Sequence, residues 1–317
     1  MTPTGALPPG GSPAHRVTRY AWLSIATALT TMALKAAAAA ATGSVSLLSD
    51  ALESLVNLAG AAFTLWMLRL GAEPPDERHA HGHEKAEYFA SGFEGLLILI
   101  AGIATAVAAV DRLLNPAELG GLSFGVAIST VATLLNLAVA RVLLDAGRRH
   151  GSVALSADGA HLMTDVWTTF GVLAGLGLVS ATGADWLDPA LALVVAAHIL
   201  LTAWRLLSGA ADGLMDAALP TQTLADLERL LDQLTQPRGA QWHALRTRVA
   251  ATRAFVSVHL LVPGDWSVHD GHELCEEIEA AIRGALNAPG TRATVLTHLE
   301  PLEDPRAYAD QHLDPGH

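Results

Sequence analysis

Six stretches of more than twenty residues with few charges, near 18–41, 45–68, 88–114, 122–146, 153–181 and 187–207, constrain this 317-residue chain more than any other feature. About 20 apolar residues in helical form cross roughly 30 Å of hydrocarbon, and in lipid the backbone must satisfy its own N–H and C=O groups. The sequence therefore predicts an α-helical membrane protein with a six-span transmembrane bundle. The first stretch exceeds a signal-peptide core in length and five more follow it, so cleavage is not expected.

Arg16, Arg19, Arg69, Arg78, Lys85, Arg141, Arg148, Arg149 and Arg205 flank the spans on one side, while the connections 42–44, 115–121 and 182–186 carry no Lys or Arg. The positive-inside rule then makes both termini and the loops 70–87 and 147–152 cytoplasmic, as in a multi-pass protein of the cell (inner) membrane. Arg112 is the exception, tempered by its neighbour Asp111. From residue 209 onward there are 16 acidic and 8 basic residues, out of a net charge of −12 for the whole chain. So acidic a soluble part does not bind nucleic acid. Cys275, the one cysteine, excludes an internal disulfide. The expected organisation is a disordered N-terminal tail (1–16), the six-helix membrane domain (17–208), a cytoplasmic metal-binding α/β domain (209–301) and a C-terminal tail (302–317).

Inside the apolar stretches one polar pattern occurs twice, as Asp50, Glu53, Asn57 and as Asp158, His161, Asp165. Each set has offsets of 0, 3 and 7, which is a single stripe on a helix. Ser-Val precedes each by six residues, so the two segments, 108 residues apart, read as copies. A charged group at mid-bilayer costs about 2.5 to 3.5 kcal/mol on insertion scales, so such residues face a partner, a cavity or an ion. Each copy holds three spans, an odd number, so the copies are inverted, an arrangement in which the site lies near the midplane. Glu53 and His161 both lie about 15 Å deep at 1.5 Å per residue, reached from opposite faces. Glu53 with Asn57, and His161 with Asp165, then present four ligands. Oxygen and imidazole nitrogen in a four-coordinate cage suit zinc, and with added waters cobalt, iron or manganese. Asp50 and Asp158 are expected as outer and inner gate carboxylates.

The loop after the second span, Pro75-Asp76-Glu77-Arg78-His79-Ala80-His81-Gly82-His83, is dense in metal-ligating residues. After 208 the pattern reads helix (221–236), two strands (243–250, 254–262) with a turn at Ala251-Thr252, an acidic helix (267–287) and a last strand (291–299). The order α-β-β-α-β fits a ferredoxin-like sandwich that lacks one element. His259 alternates with Val256, Val258 and Leu260, and His298 shares a strand face with Glu300. With His243 and His272 these make four imidazoles and a carboxylate, enough for a binuclear site with a bridging carboxylate.

From about 17 to 301 these residues together resemble the cation diffusion facilitator family, proton-coupled efflux transporters of zinc and other divalent metals. His161-x-x-x-Asp165 is similar to the fifth-helix half of that family's transport site. Residues 75–87 resemble its loop between helices two and three, in which Asp76, His79 and His83 stand where the zinc exporters place ligands. His243 to Arg248, His259, His272 and His298-x-Glu300 resemble the cytoplasmic zinc cluster, with Glu300 where Asp is more familiar. The resemblance implies a homodimer, joined partly through the cytoplasmic domains, that exchanges one divalent cation for protons across the lipid bilayer and has no enzymatic activity. It also implies zinc in the C-terminal domain. The departure is Glu53 and Asn57 on the second helix, where zinc members supply Asp or His and then Asp. Asparagine is a neutral carbonyl ligand, so iron, cobalt, manganese and cadmium stand beside zinc as expected substrates.

In the expected cycle, metal displaces protons from His161 and Asp165 on the cytoplasmic side, and protons from outside return to His161 as the metal leaves. The rival reading is a membrane-anchored metal sensor or scaffold that binds without transporting. A metal hydrolase is excluded, because no His-Glu-x-x-His motif is present. Lys35 is expected to snorkel or to pair with a carboxylate, His198 to be a satisfied core histidine, and Glu94 has no assigned role.

Overall fold

The computed structural model describes residues 13–42, 45–115, 124–184, 186–286 and 292–308, with the side chains of 13–16, 38, 41–53, 124–126, 176 and 180 outside the description. Its contacts divide the chain into two compact units between Ala211 and Asp212. The first unit is built from α1 (Pro13–Thr42), α2 (Val45–Gly71), α3 (Ala86–Leu114), α4 (Phe124–His150), α5 (Val153–Thr182) and α6 (Leu187–Leu214). These six helices fall on the six apolar stretches. Among the described residues, α2 to α6 each contain a segment long and apolar enough to cross a membrane. The remaining one, α1, carries Arg19 and Lys35 within its length and packs against α2 and α4. Helix α1 also begins at Pro13, four residues inside the segment expected as a tail.

Small and branched side chains set the packing of this unit. Leu65 and Leu68 of α2, Leu143 of α4 and Leu155 and Leu162 of α5 are buried together, and Ile98 of α3 packs with Val195, Ile199 and Ala203 of α6. Gly159 lets α5 lie close on α4, since a Cβ there would stand 2.9 Å from Leu144 Cγ and 3.0 Å from its backbone N. The ends of α5 are also fixed locally. Ser152 is its N-cap, accepting from the Leu155 N–H at 3.3 Å, while the same hydroxyl donates to Glu87 Oε2 at 2.6 Å. The Ala154 N–H donates to that carboxylate as well, at 3.3 Å, so an acidic side chain from α3 sits on the positive end of α5. Gly183, at φ 72°, closes the far end in the left-handed conformation.

The second unit comprises α7 (Thr221–Thr235), β1 (Gln241–Ala250), β2 (Arg253–Val262), α8 (Val268–Ala285) and β3 (Arg292–Pro301). Its sheet order is β1-β2-β3, with β1 antiparallel and β3 parallel to β2, so α8 is the crossover of a βαβ unit. Alternate residues of β2, Ala254, Val256, Val258 and Leu260, face a core completed by Leu227 and Leu231 of α7 and Leu274, Ile278 and Ile282 of α8. The expected α-β-β-α-β order is therefore observed. Ile278 is fully buried, and Ile278→Ala is expected to remove about 2 to 5 kcal/mol of stability from this unit, seen as an earlier cytoplasmic-domain transition in denaturant melts of the whole chain.

The segment expected as a loose tail from 302 begins in order. The Leu302 N–H bonds to Val262 O at 2.8 Å, a short 3₁₀ turn spans Pro305–Tyr308, and the Tyr308 hydroxyl donates to Leu302 O at 2.9 Å. Residues 309–317 lie outside the described residues, as do 1–12 of the N-terminal tail.

Candidate metal sites

The two polar stripes touch. On α2, Asn57 Nδ2 donates to Asp165 Oδ2 of α5 at 2.5 Å, and Asn57 Oδ1 lies 2.9 Å from His161 Nε2. Asn57 and Asp165 are equivalent positions of the two copies, so the copies meet like to like. Asn136 of α4 adds a longer donation to the same Asp165 oxygen, 3.4 Å. An amide can donate to a carboxylate and accept from a ring N–H at once, so Asn57 satisfies both neighbours in the absence of an ion. Asn57 Oδ1, Asp165 Oδ2 and His161 Nε2 are also the atoms of this cluster fit to ligate one. His161 is 7% exposed. The side chains of Glu53 and Asp50 lie outside the described residues, so three of the four expected ligands are in view.

Asp158, one turn before His161, is buried and accepts from Ser24 Oγ of α1 at 3.0 Å; among the described residues its other oxygen has no hydrogen-bond partner. It is thus held between α1 and α5. Lys35 of α1 is half-buried. Arg112, the exception to the charge asymmetry, is neutralised by Asp188 of α6, 3.3 Å away, and not by its neighbour Asp111. His198 departs from its expectation as a core residue: it is exposed and lies edge-on to Trp167, ring centroids 5.5 Å apart.

Sequence reasoning assigned nothing to Glu94 of α3, yet it is 1% exposed and its Oε2 lies 2.9 Å from His161 Nδ1. Thr64 Oγ1 donates to its other oxygen at 3.2 Å. The available signal was a carboxylate in the middle of an apolar span, which is costly without a partner.

In the 72–85 loop, the N–H groups of Arg78 and His79 both donate to Asp76 Oδ1, at 2.8 and 2.6 Å, a turn that folds the loop back on itself. His79 Nδ1 then stands 3.2 Å from Asp76 Oδ1, His83 Nε2 3.4 Å from Asp76 Oδ2, and the two ring nitrogens 3.0 Å apart. The Asp76 carboxyl is held below its ordinary value, first by the His79 N–H and then, against some desolvation, by that of Arg78. A lowered value means the charged turn is complete above the ordinary carboxylate range and is lost only as pH falls through the depressed value. His81 stands outside this cluster.

Strand register builds the third site. His243 pairs with His259 across β1 and β2, and His259 with His298 across β2 and β3, so three imidazoles form one row. A bulge after His243, with Ala244 at φ 50°, turns the start of β1. Glu300 reaches into the row: Oε2 is 2.9 Å from His243 Nε2 and 3.5 Å from His259 Nδ1, while Oε1 is 3.4 Å from His298 Nε2. One carboxylate thus offers its two oxygens to different imidazoles, and among the described residues buried His243 Nδ1 has no hydrogen-bond partner. This donor set fits zinc. His272 is exposed on α8 and is not brought into the cluster. Tyr308 is an addition, stacked on His243 with ring centroids 6.3 Å apart.

Comparison with known proteins covers both units. A family model described as the cation efflux transmembrane domain matches residues 21–215, and one described as the cytoplasmic domain of cation efflux proteins matches 219–302. An uncharacterized transporter of Synechocystis sp., sll1263, is 49% identical over 295 residues, 93% of each chain. The cation-efflux pump FieF of Klebsiella pneumoniae is 30% identical over 260 residues, 82% of this chain and 84% of that one. FieF of Pectobacterium atrosepticum is 30% identical over 292 residues, 91% and 94% of the two chains.

Proposed function

Because this chain belongs to the cation diffusion facilitator family, and is therefore a multi-pass membrane transporter of metal cations and not an enzyme, we propose that it exchanges one divalent transition-metal ion for protons across the inner membrane, outward from the cytoplasm. The observation that carries this reading is the meeting of half-buried Asn57 and Asp165 with buried His161 between α2 and α5. A ligand must shed its proton to bind a metal, so one site that takes either an ion or protons couples the two fluxes. His161 is the group we assign to that exchange, with Glu53 completing the ligand set.

Zinc, cobalt, iron, manganese and cadmium are the ions considered, since a neutral amide among the ligands suits borderline to hard cations. The FieF relatives are named cation-efflux pumps, which agrees with outward transport. Zinc is the ion we assign to His243, His259, His298 and Glu300, and Asp76, His79 and His83 are read as a loop site on the cytoplasmic side, with both termini cytoplasmic. Among the described residues His272 stands outside these clusters. The cytoplasmic domains are read as joining two copies into a homodimer, and bound cations strengthen that contact by neutralising acidic surfaces that otherwise repel. A metal sensor that does not transport needs only the cytoplasmic clusters, and has no use for a polar cluster closed between two apolar spans.

Proteoliposomes given zinc or cobalt under an imposed pH gradient test the exchange. Metal uptake is expected to track the gradient, to release protons into the metal side, and to fall to the protein-free rate when an ionophore collapses the gradient in the presence of a clamped membrane potential. Uptake that is indifferent to the gradient contradicts antiport.

A further inference from the structure

Glu94 lies in the ninth position of α3, and both of its carboxylate oxygens are engaged by other helices. Oε2 stands 2.9 Å from His161 Nδ1 of α5, and Oε1 accepts from Thr64 Oγ1 of α2 at 3.2 Å. Gly60, one turn before Thr64 on α2, is the residue that makes room, since a Cβ there would fall 2.8 Å from Oε1. Three helices therefore converge on one side chain that is 1% exposed. A buried carboxylate is costly unless it is paired and hydrogen-bonded, so this arrangement persists because the neighbours supply what water would.

His161 is consequently flanked on both sides, Nδ1 within ion-pair distance of Glu94 though not aligned for a hydrogen bond, and Nε2 in contact with Asn57 Oδ1. Ligating imidazoles are commonly oriented in this way, by a carboxylate on the nitrogen that does not bind the ion. On α2 the stripe presents a neutral amide, Asn57, to the same imidazole. The geometry points to Glu94 as a positioning residue of the transport site, one that aims His161 Nε2 at the ion and returns from α3 the negative charge that α2 lacks at Asn57. This inference rests on the transport-site reading above. It explains why a glutamate stands in the middle of α3, why Gly60 and Thr64 lie opposite it, and why Asn57 is compatible with a divalent cargo: the compensating charge is kept one contact away from the ion instead of in its ligand shell.

Initial rates of zinc uptake in proteoliposomes, measured across zinc concentrations, test this with Glu94→Gln, Asn57→Asp, the double variant and Asp165→Ala. Glu94→Gln is expected to raise KM about 10- to 100-fold with a smaller change in kcat, the range seen when a carboxylate behind a ligating histidine is removed. A merely structural fault would instead reduce the number of active molecules and leave KM in place. Asn57→Asp in the Glu94→Gln background is expected to recover most of the lost affinity, because the charge is restored on the other side of the same imidazole. A wild-type KM in Glu94→Gln, or a double variant no better than Glu94→Gln alone, overturns the role. Should Glu94→Gln aggregate, Thr64→Val, which removes only the donor to Oε1, is expected to raise KM by a smaller factor, and an unchanged KM there overturns it equally. Asp165→Ala separates the two levels: flux that survives in Asp165→Ala overturns the site itself and the role of Glu94 with it. Flux lost in Asp165→Ala but unaltered in Glu94→Gln overturns the role of Glu94 alone.

Discussion

Asp165→Ala is expected to lower metal flux by roughly two to four orders of magnitude, which corresponds to the roughly 3 to 5 kcal/mol lost when one partner of an enclosed charged cluster is removed. Asp165 accepts from Asn57 and Asn136, so its removal strips both amides of their acceptor and the site of a charge. Asp165→Asn separates these effects. It keeps the side-chain volume and an oxygen, so the α2–α5 contact survives while the charge is lost, and flux is expected to remain near the Asp165→Ala level. Initial uptake rates in proteoliposomes, normalised to reconstituted protein, provide the measurement. A substantial rate in Asp165→Asn would show that geometry, and not charge, holds the ion.

Glu300→Ala carries the second large expectation. Glu300 is the only side chain of the row that contacts His243, His259 and His298 together among the described residues, so its loss removes the bridge and leaves three imidazoles with no common counter-ion. Zinc affinity of the cytoplasmic domain is expected to fall at least about 100-fold, beyond the range for a residue that only orients a ligand. Titration of the purified full-length protein against a zinc-buffered dye reads this, in a background where Asp76→Ala silences the loop and Asp165→Ala the site between α2 and α5. Because imidazole nitrogen must be free of protons to bind, affinity in the unaltered protein is expected to fall as pH is lowered. His272→Ala, on the exposed face of α8, is expected to leave it unchanged.

Much of this architecture was legible in the chain. The six apolar stretches dictated six helices because lipid leaves the backbone no other means of hydrogen bonding over that length. The duplicated stripe foretold that Asn57 would meet His161 and Asp165, since polar side chains at matched depth on two apolar helices have no better partners than each other. The row of His243, His259 and His298 was legible as residues on strands, but not as neighbours. That depends on strand order and register, which place His259 opposite both others.

The contacts that escaped were those made between helices of unrelated pattern. Glu94 is a lone carboxylate on α3, and neither Gly60 nor Thr64 marks itself in sequence as the floor beneath it. Glu87 likewise stands only three residues before Ala90 in an ordinary first turn, yet it closes the start of α5 through Ser152. Tyr308 lies in a segment whose composition reads as a tail, yet its hydroxyl bonds to Leu302 O and its ring stacks on His243. In the reverse direction, His272 shares the residue type of the cluster but not its strand row, and residue type alone does not bring α8 to the metal.

The central claim is that one ion is held within the membrane unit by atoms of α2 and α5. An anomalous-scattering map of the full chain soaked in zinc, recorded at the zinc edge, tests it most directly. The account predicts a peak in contact with Asn57 Oδ1, Asp165 and His161 Nε2, with Glu94 still on His161 Nδ1. Peaks confined to the Asp76 loop and to the Glu300 row, with the Asn57–Asp165 contact intact and nothing between the helices, would contradict it.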